Sequence, residues 1–183
     1  MKLIILDRDG VINEDSDAFI KSPDEWRPIP GSLEAIARLC QAGYRVIVAT
    51  NQSGLGRGLF SIDELNAIHS KMQHAITSEG GQLHGIFYCP HDPKEGCDCR
   101  KPLPGLLHQI SQRFFTDLTD VPCIGDSLRD LQAAAAVGAR PILVRTGKGE
   151  HTAHDSRLDP QIPIFDRLND AVDALLIQEN SNT

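Results

Sequence analysis

The stretch Leu3-Ile4-Ile5-Leu6-Asp7-Arg8-Asp9-Gly10 decides the fold, because a short apolar run passes directly into acidic residues. The run lacks the apolar and polar alternation of a strand with one wet face. It therefore predicts a strand that is buried on both faces, as in a parallel sheet. Two aspartates directly after such a strand place two negative charges close together, which does not favour stability. We therefore expect a functional site at this end of the sheet.

Four further apolar runs follow, and amphipathic helical patterns separate them. The runs are Arg45–Ala49, Gly85–Tyr88, Val121–Ile124 and Pro141–Val144. The helical patterns are Ser32–Cys40, a stripe that follows the capping box Ser61–Glu64, Pro104–Phe114, Ser127–Val137 and Leu168–Leu176. Strand and helix in strict alternation predict an α/β fold with a doubly wound parallel sheet. In such sheets the site lies beyond the carboxyl ends of the strands.

Length, charge and hydropathy narrow the class of protein. The 183 residues fit a single domain over residues 1–183. A formal net charge of -7 gives no basic balance, so we expect no nucleic-acid partner. No apolar run approaches the roughly 20 residues that span a bilayer, and the N-terminal residues lack a signal-peptide pattern. We expect a cytoplasmic protein without a membrane partner, and a monomer, since no apolar helix stripe is left over.

Polar residues at the predicted strand ends have complementary chemistry. Asp7 and Asp9 point the same way if the strand continues, and two like charges that close need a cation or a shared proton. Mg²⁺ accepts carboxylate, phosphate and water oxygens. The segment Thr50–Gly54 offers donors to phosphate oxygens, Asp126 follows the fourth strand, and Lys101 adds a cation. Together these residues predict a site that holds Mg²⁺ and a phosphoryl group.

Simpler interpretations exist for each motif taken alone. The two aspartates could be solvated in a loop, and the segment after the second strand could be a polar turn. Ser127 can cap the following helix with Asp130 in its first turn. His69 and His74 lie on one predicted helix but are five residues apart, so they do not share a face, and we expect both at the surface.

A cluster of cysteines and one histidine predicts a structural zinc site. Its members are Cys89, His91, Cys97 and Cys99. Four protein ligands suit a tetrahedral Zn²⁺ and leave no open position for water. In a reducing compartment the pattern favours metal over disulfides, although three free thiols with a chance histidine remain an alternative. The zinc would fix the loop that ends in Arg100 and Lys101.

Four ordered motifs resemble those of the haloacid dehalogenase superfamily of phosphatases. They are Asp7–Gly10, Thr50, Lys101 and Gly125–Asp130, and they cover nearly the whole chain. The resemblance implies a Rossmann-like fold and catalysis through a phospho-aspartate on Asp7, with Asp9 as general acid and base. Thr50 and Lys101 would hold the phosphoryl group. Asp7, Asp126 and the backbone carbonyl of Asp9 would bind catalytic Mg²⁺.

A closer resemblance is to the D-glycero-D-manno-heptose 1,7-bisphosphate 7-phosphatases. It rests on Asn51–Gly54, Arg57-Gly58, Cys89–His91, Cys97–Pro102 and Gly105. It implies a capless enzyme with a zinc-bound loop, acting on a small phosphorylated sugar in heptose precursor synthesis for lipopolysaccharide or surface glycans. By this resemblance substrate or phosphate is bound by Asp15, Ser16, Asp17, Ala18, Thr50, Asn51, Gln52, Ser53, Arg57, Arg100 and Lys101. Arg57 and Arg100 would offer cations to the sugar or to the second phosphate.

Three other functions compete with this interpretation. Histidinol-phosphate phosphatases share the cysteine cluster and are the nearest alternative. Removal of a 3′ phosphate from DNA ends is disfavoured by the acidic balance. A catalytically inactive phosphosugar sensor or zinc-stiffened scaffold is expected to lack a motif residue, and here every motif residue is present.

Overall fold

One parallel sheet forms the centre of the computed structural model, which describes residues 2–181. Its strands are β1 (Lys2–Leu6), β2 (Tyr44–Asn51), β3 (Leu83–Cys89), β4 (Pro122–Gly125), β5 (Arg140–Val144) and β6 (Ile164–Phe165). They lie in the order β3-β2-β1-β4-β5-β6, and each neighbouring pair is parallel. The chain winds from β1 to one edge and then from β4 to the other. The order therefore reverses between β1 and β4, which is where such sheets bind ligands.

Seven α-helices within the described residues precede, connect or follow these strands in the chain. They are α1 (Ser32–Gln41), α2 (Ser53–Gly56), α3 (Ile62–Ser78), α4 (Gly105–Phe114), α5 (Leu128–Ala136), α6 (Gly149–Ala153) and α7 (Leu168–Ser181). A short 3₁₀ helix spans Pro23–Glu25. Helix α3 begins with the predicted capping box, in which the Ser61 hydroxyl accepts from the Glu64 N–H at 3.2 Å. None of the helices within residues 2–181 is both long and apolar enough to cross a membrane.

The sheet separates two apolar layers, which explains the uninterrupted apolar runs. Side chains alternate across a strand, so Ile4 and Leu6 pack on one face of β1 while Leu3 and Ile5 pack on the other. Helices α1, α3 and α7 cover the first face, and α4 and α5 cover the second. Each Leu or Ile buried in this way contributes about 1.5–3 kcal/mol. The doubly wound α/β fold is confirmed.

The structure adds elements to the predicted set and moves one boundary. All five predicted strands are present, and β6 is a sixth. Helices α2 and α6 were not predicted. Pro104 precedes α4 as its N-cap instead of occupying its first turn, because its ψ of 5° and φ of -85° are not yet helical.

Candidate active site

A cavity of about 210 Å³ lies beyond the carboxyl ends of β1, β2 and β4. Nearly all residues predicted to hold substrate or magnesium line it: Asp7, Asp9, Asp15, Ser16, Asp17, Thr50, Asn51, Gln52, Ser53, Arg57, Arg100, Lys101 and Asp126. Ala18 does not line the cavity and is exposed. Phe19, with a left-handed φ of 65°, lines it instead. The turn thus brings the aromatic ring, not the methyl group of Ala18, to the cavity.

Lys101 is the cation at the floor of this cavity. Its ammonium is buried and lies 3.0 Å from Asp7 Oδ1, 2.6 Å from Asp130 Oδ1 and 2.6 Å from the Ala49 carbonyl oxygen. All three of its N–H donors therefore have acceptors. Burial by itself would lower the pKa of Lys101, but Asp130 and Asp7 outweigh burial and raise it. Lys101 is a permanent positive charge beside Asp7.

Asn51 fixes the backbone at Lys101. The Lys101 N–H donates to Asn51 Oδ1 at 3.1 Å, and Asn51 Nδ2 donates to the Lys101 carbonyl oxygen at 3.1 Å. This reciprocal pair joins the end of β2 to the segment that follows the cysteine cluster. Asn51 thus engages its amide with Lys101, which is a positioning contact that the sequence pattern did not predict.

Asp7 and Asp126 are carboxylates in an environment that disfavours their charge. Burial raises the pKa of Asp7 to about 7, and repulsion from Asp130 adds to this effect. Burial likewise raises the pKa of Asp126 to about 8, with repulsion from Asp130 and Asp7. Burial would also raise the pKa of Asp130, but the Lys101 ammonium outweighs it and lowers the pKa. Lys101, which Asp7 shares with Asp130, thus offsets the burial of Asp7 only in part, and no ion pair to Asp126 is formed among residues 2–181.

The donor set at this point fits a magnesium ion. Carboxylate oxygens of Asp7, Asp126 and Asp130 lie within 4.8 Å of one another. Asp130 already accepts from Lys101 through Oδ1 and from the Ser127 hydroxyl through Oδ2, the latter at 2.7 Å. Asp7 and Asp126 remain as the carboxylates that a hard, oxygen-binding cation could use. The Ser127–Asp130 capping box is present as predicted, and Asp130 combines that role with the Lys101 ion pair.

Two glycines make room for Asp126. A Cβ atom on Gly10 or on Gly147 would clash with the Asp126 carboxylate, and both residues have positive φ, 82° and 58°. The backbone N–H of Lys148 donates to Asp126 Oδ2 at 2.8 Å. Asp126 is therefore held in place by the loops that follow β1 and β5.

Asp9 is held by donors on several sides. Arg8 Nε donates to Oδ1 and Arg8 Nη2 to Oδ2, each at 3.0 Å. Asn13 Nδ2 donates to Oδ1 at 2.8 Å, and Gln52 Nε2 donates to Oδ2 at 2.9 Å. Gln52 Nε2 also donates to the Thr50 hydroxyl oxygen at 3.0 Å, so the O–H of Thr50 remains available to a phosphoryl oxygen.

Three neighbouring arginines line the cavity. Arg57 Nε pairs with Asp92 Oδ2 at 3.0 Å, whereas Arg100 and Arg129 have no carboxylate partner among residues 2–181. Arg100 Nη1 is buried without a hydrogen-bond partner. Burial lowers the pKa of Arg100, and the neighbouring charges of Arg129 and Arg57 lower it further. This end of the cavity therefore suits an anion.

The loop that carries Asp15 and Asp17 is tied to Lys148. Lys148 Nζ lies 3.3 Å from Asp15 Oδ2 and 3.8 Å from Asp17 Oδ1. The Arg57 guanidinium lies 5.8 Å from the centroid of the Phe19 ring. Charged and aromatic contacts thus join this loop to Lys148 and to Arg57.

The cysteine cluster is assembled beside the cavity. Cys89 Sγ lies 3.5 Å from His91 Nδ1 and 3.6 Å from Cys97 Sγ, and His91 Nδ1 lies 3.3 Å from Cys99 Sγ. All four donor atoms lie within 4.8 Å of one another. Donors bound tetrahedrally to one Zn²⁺ are separated by about 3.5–3.8 Å, so the cluster fits a single metal ion.

Sequence reasoning missed several residues of this region that carry charge or hydrogen bonds. Asp130, Arg129 and Lys148 line the cavity, and His69 is buried against Arg8. The prediction that His69 is a surface residue is wrong, because its Nε2 lies 3.3 Å from Nη1 of the fully buried Arg8. A histidine within the apolar stripe of α3 was the one available signal.

Comparisons with known proteins agree with this site. The HAD-hydrolase-like family description matches residues 98–171. The chain is 58% identical to the D-glycero-beta-D-manno-heptose-1,7-bisphosphate 7-phosphatase of Bordetella bronchiseptica, over 98% of this chain and 99% of that one. It is 50% identical to the enzyme of the same name from Neisseria meningitidis serogroup A, over 99% and 97% of the two chains.

A solved structure extends the comparison to three dimensions. The D,D-heptose 1,7-bisphosphate phosphatase of B. bronchiseptica, complexed with magnesium and phosphate, superposes with a TM-score of 0.95. The two are 56% identical, over 97% of this chain and 99% of that one. The chain therefore belongs to the D-glycero-D-manno-heptose 1,7-bisphosphate 7-phosphatase family of the haloacid dehalogenase superfamily.

Proposed function

We propose that this protein hydrolyses the 7-phosphate of D-glycero-β-D-manno-heptose 1,7-bisphosphate and leaves the 1-phosphate in place. The observation that carries the proposal is the cavity in which Asp7, paired with Lys101, lies among Asp9, Thr50 and Asp126. The relatives named above are heptose enzymes and carry the β anomer in their names, which favours this substrate over histidinol phosphate.

Asp7 is the nucleophile. Its Oδ1 accepts from Lys101 Nζ at 3.0 Å and from the Arg8 N–H at 2.8 Å, which leaves Oδ2 to attack phosphorus. The new Oδ2–P bond forms as the bond from phosphorus to the sugar oxygen breaks. Lys101 and the Thr50 hydroxyl stabilise charge on the phosphoryl oxygens during this transfer.

Asp9 moves the protons. It donates one to the departing sugar oxygen and later takes one from the water that attacks the phospho-aspartate. The Oδ2–P bond then breaks, inorganic phosphate leaves and the Asp7 carboxylate is restored. Mg²⁺ held by Asp7, Asp126 and the Asp9 carbonyl oxygen would supply positive charge to the phosphoryl group and to the crowded carboxylates.

The phosphate that is not cleaved binds at the arginine end of the cavity. Arg100 and Arg129 lack carboxylate partners among the described residues, and Arg57 stands beside them. Guanidinium groups bind phosphate through paired N–H donors. Asp15, Ser16 and Asp17 line the same cavity and offer carboxylate acceptors or a hydroxyl to the sugar.

The remaining predictions stand as parts of the same proposal. Zn²⁺ at Cys89, His91, Cys97 and Cys99 is structural and fixes the segment that leads to Lys101. Residues 1–183 act as one capless, monomeric, cytoplasmic domain without nucleic-acid or membrane partners. The product enters heptose precursor synthesis for lipopolysaccharide or another surface glycan.

A phosphate-release assay tests the proposal. With Mg²⁺ present, both anomers of the heptose 1,7-bisphosphate are compared with histidinol phosphate, and Asp7→Asn serves as the inactive control. We expect the highest kcat/KM for the β anomer and release of one phosphate per molecule. Preference for histidinol phosphate, or release of both phosphates, would refute the proposed substrate.

A further inference from the structure

Arg8 is a charged residue without access to solvent. Its exposure is 0%, although it lies between two aspartates that line the cavity. A buried guanidinium is unfavourable unless its N–H donors are paired. Arg8 meets this requirement through Asp9, through Gln52 Oε1 at 3.2 Å and through His69 Nε2 at 3.3 Å.

The Arg8 guanidinium contacts both carboxylate oxygens of Asp9. Nε lies 3.0 Å from Oδ1, and Nη2 lies 3.0 Å from Oδ2 and 2.9 Å from Oδ1. This geometry fixes the torsion angles of Asp9 as well as its position. Any shift of the Arg8 guanidinium therefore changes the direction in which Asp9 faces the cavity.

His69 fixes the far side of the guanidinium. It lies in the stripe of α3 that also carries the buried Leu65, Ile68 and Met72. Arginine nitrogens only donate, so His69 Nε2 is the acceptor and the neutral ring carries its proton on Nδ1. Burial, with the nearby Arg8 charge, lowers the pKa of His69 to about 4, which keeps the ring neutral and able to accept.

An apolar side chain would satisfy the packing of α3 at this position, so packing alone does not explain a histidine. We propose that His69 is a positioning residue that orients Arg8 and, through it, aims Asp9 at the oxygen of the leaving group. The inference rests on the proposed function in that Asp9 is taken as the general acid. His69 itself touches neither substrate nor metal.

The chemistry of the leaving group separates this role from a merely structural one. A sugar alkoxide needs a proton as the P–O bond breaks, whereas p-nitrophenolate is stable enough to leave without one. A misdirected Asp9 therefore slows hydrolysis of an alkyl phosphate more than hydrolysis of p-nitrophenyl phosphate. A general loss of structure slows both equally.

The experiment compares His69→Leu, His69→Gln and wild type on the heptose 1,7-bisphosphate and on p-nitrophenyl phosphate, with saturating Mg²⁺. For His69→Leu we expect kcat on the heptose substrate to fall by about 10- to 100-fold with little change in KM. The kcat on p-nitrophenyl phosphate should fall by less than about threefold, because that leaving group needs no acid. In His69→Gln the Oε1 atom can accept from Arg8, so activity should return to near the wild-type value.

His74→Leu is the matched control, since His74 lies on the same helix and is exposed. If His69→Leu does not fold, as judged by thermal unfolding, Arg8→Lys tests the same link. The lysine retains the positive charge but lacks the planar guanidinium that contacts both oxygens of Asp9. This variant should show the same dependence on the leaving group.

Equal losses on both substrates, no loss on either, or a glutamine variant as impaired as the leucine variant would each overturn the inference. Failure of the wild-type protein to cleave the heptose bisphosphate would refute the proposed substrate instead. The comparison would then be made with whichever alkyl phosphate the wild type hydrolyses, so the role of His69 is still tested.

Discussion

Arg129 occupies a position where its charge is unfavourable in the absence of ligand. It is the second residue of α5, and the N-terminus of a helix favours anions over cations. Its exposed side chain makes no ion pair among residues 2–181 and repels Arg100. Both effects reverse when a phosphate binds between the two guanidinium groups. The residue is therefore better explained by substrate binding than by stability.

Replacing Arg129 with methionine should weaken binding of the bisphosphate. Loss of a hydrogen bond to a charged group, worth about 1.5–3 kcal/mol, raises KM for the heptose 1,7-bisphosphate by roughly 10- to 100-fold. The KM for p-nitrophenyl phosphate, which has no second phosphate, should not change. Steady-state kinetics on both substrates measure this, with the exposed Arg113→Met as control. An equal rise in KM for both substrates would contradict the assignment.

At the scale of elements, the cysteine cluster connects the end of β3 to Lys101. Cys89 ends β3, and Cys99 precedes Arg100 and Lys101 directly in the chain. The loop between them has no helix or strand of its own, and the four side chains of the cluster join its two ends. A metal at the cluster would thus set the position of Lys101 relative to Asp7.

Removing zinc from the cysteine cluster should impair catalysis without unfolding the protein. We expect Cys97→Ala, or treatment with a strong zinc chelator, to lower kcat by at least about 10-fold, because Lys101 is no longer held. Elemental analysis should give one zinc per chain in the wild type and far less in the variant. Cys40→Ala, which alters a thiol outside the cluster, should keep both zinc and activity. Full activity in zinc-free protein would contradict this prediction.

Sequence analysis found the strands and helices whose apolar pattern is long enough to be recognised. Five strands were predicted because each is an apolar run, and α1, α3, α4, α5 and α7 because their stripes repeat over several turns. Helices α2 and α6 and strand β6 are too short to establish a period. Ser53–Gly56 even contains two glycines, so its helical turn depends on contacts such as the hydrogen bond from Gly56 N to the Pro90 carbonyl oxygen, 2.9 Å.

At the scale of the whole molecule, the sequence predicts those site residues whose positions follow from the order of strands and helices. Asp7, Thr50 and Asp126 lie at the carboxyl ends of parallel strands, so they meet at the same edge of the sheet whatever path the connecting segments take. Contacts between distant side chains cannot be found in this way. Asp130 has a sufficient local explanation as a helix cap, and only the folded chain places it 2.6 Å from Lys101. His69 similarly lies 61 positions from the arginine that it contacts.

The assembled carboxylates make the stability of the whole molecule depend on pH and on Mg²⁺ together. Folding raises the pKa of Asp7 to about 7 and of Asp126 to about 8, above the value of about 4 for an unfolded aspartate. Between about pH 4 and pH 8 these two carboxyl groups therefore bind more protons in the metal-free folded state than in the unfolded state. Their contribution to the free energy of unfolding falls as the pH rises through this window.

Magnesium should oppose that loss, because it binds the two carboxylates in their charged form and only in the folded protein. We expect the difference in Tm between samples with and without added Mg²⁺ to grow steadily from about pH 5 to about pH 8.5. Asp126→Asn should flatten the pH dependence of the metal-free protein and shrink the Mg²⁺ effect, whereas the exposed Asp24→Asn should do neither. A Tm difference that is constant across this range would mean that Asp7 and Asp126 are already charged without the ion, and that the fold, not the metal, offsets their repulsion.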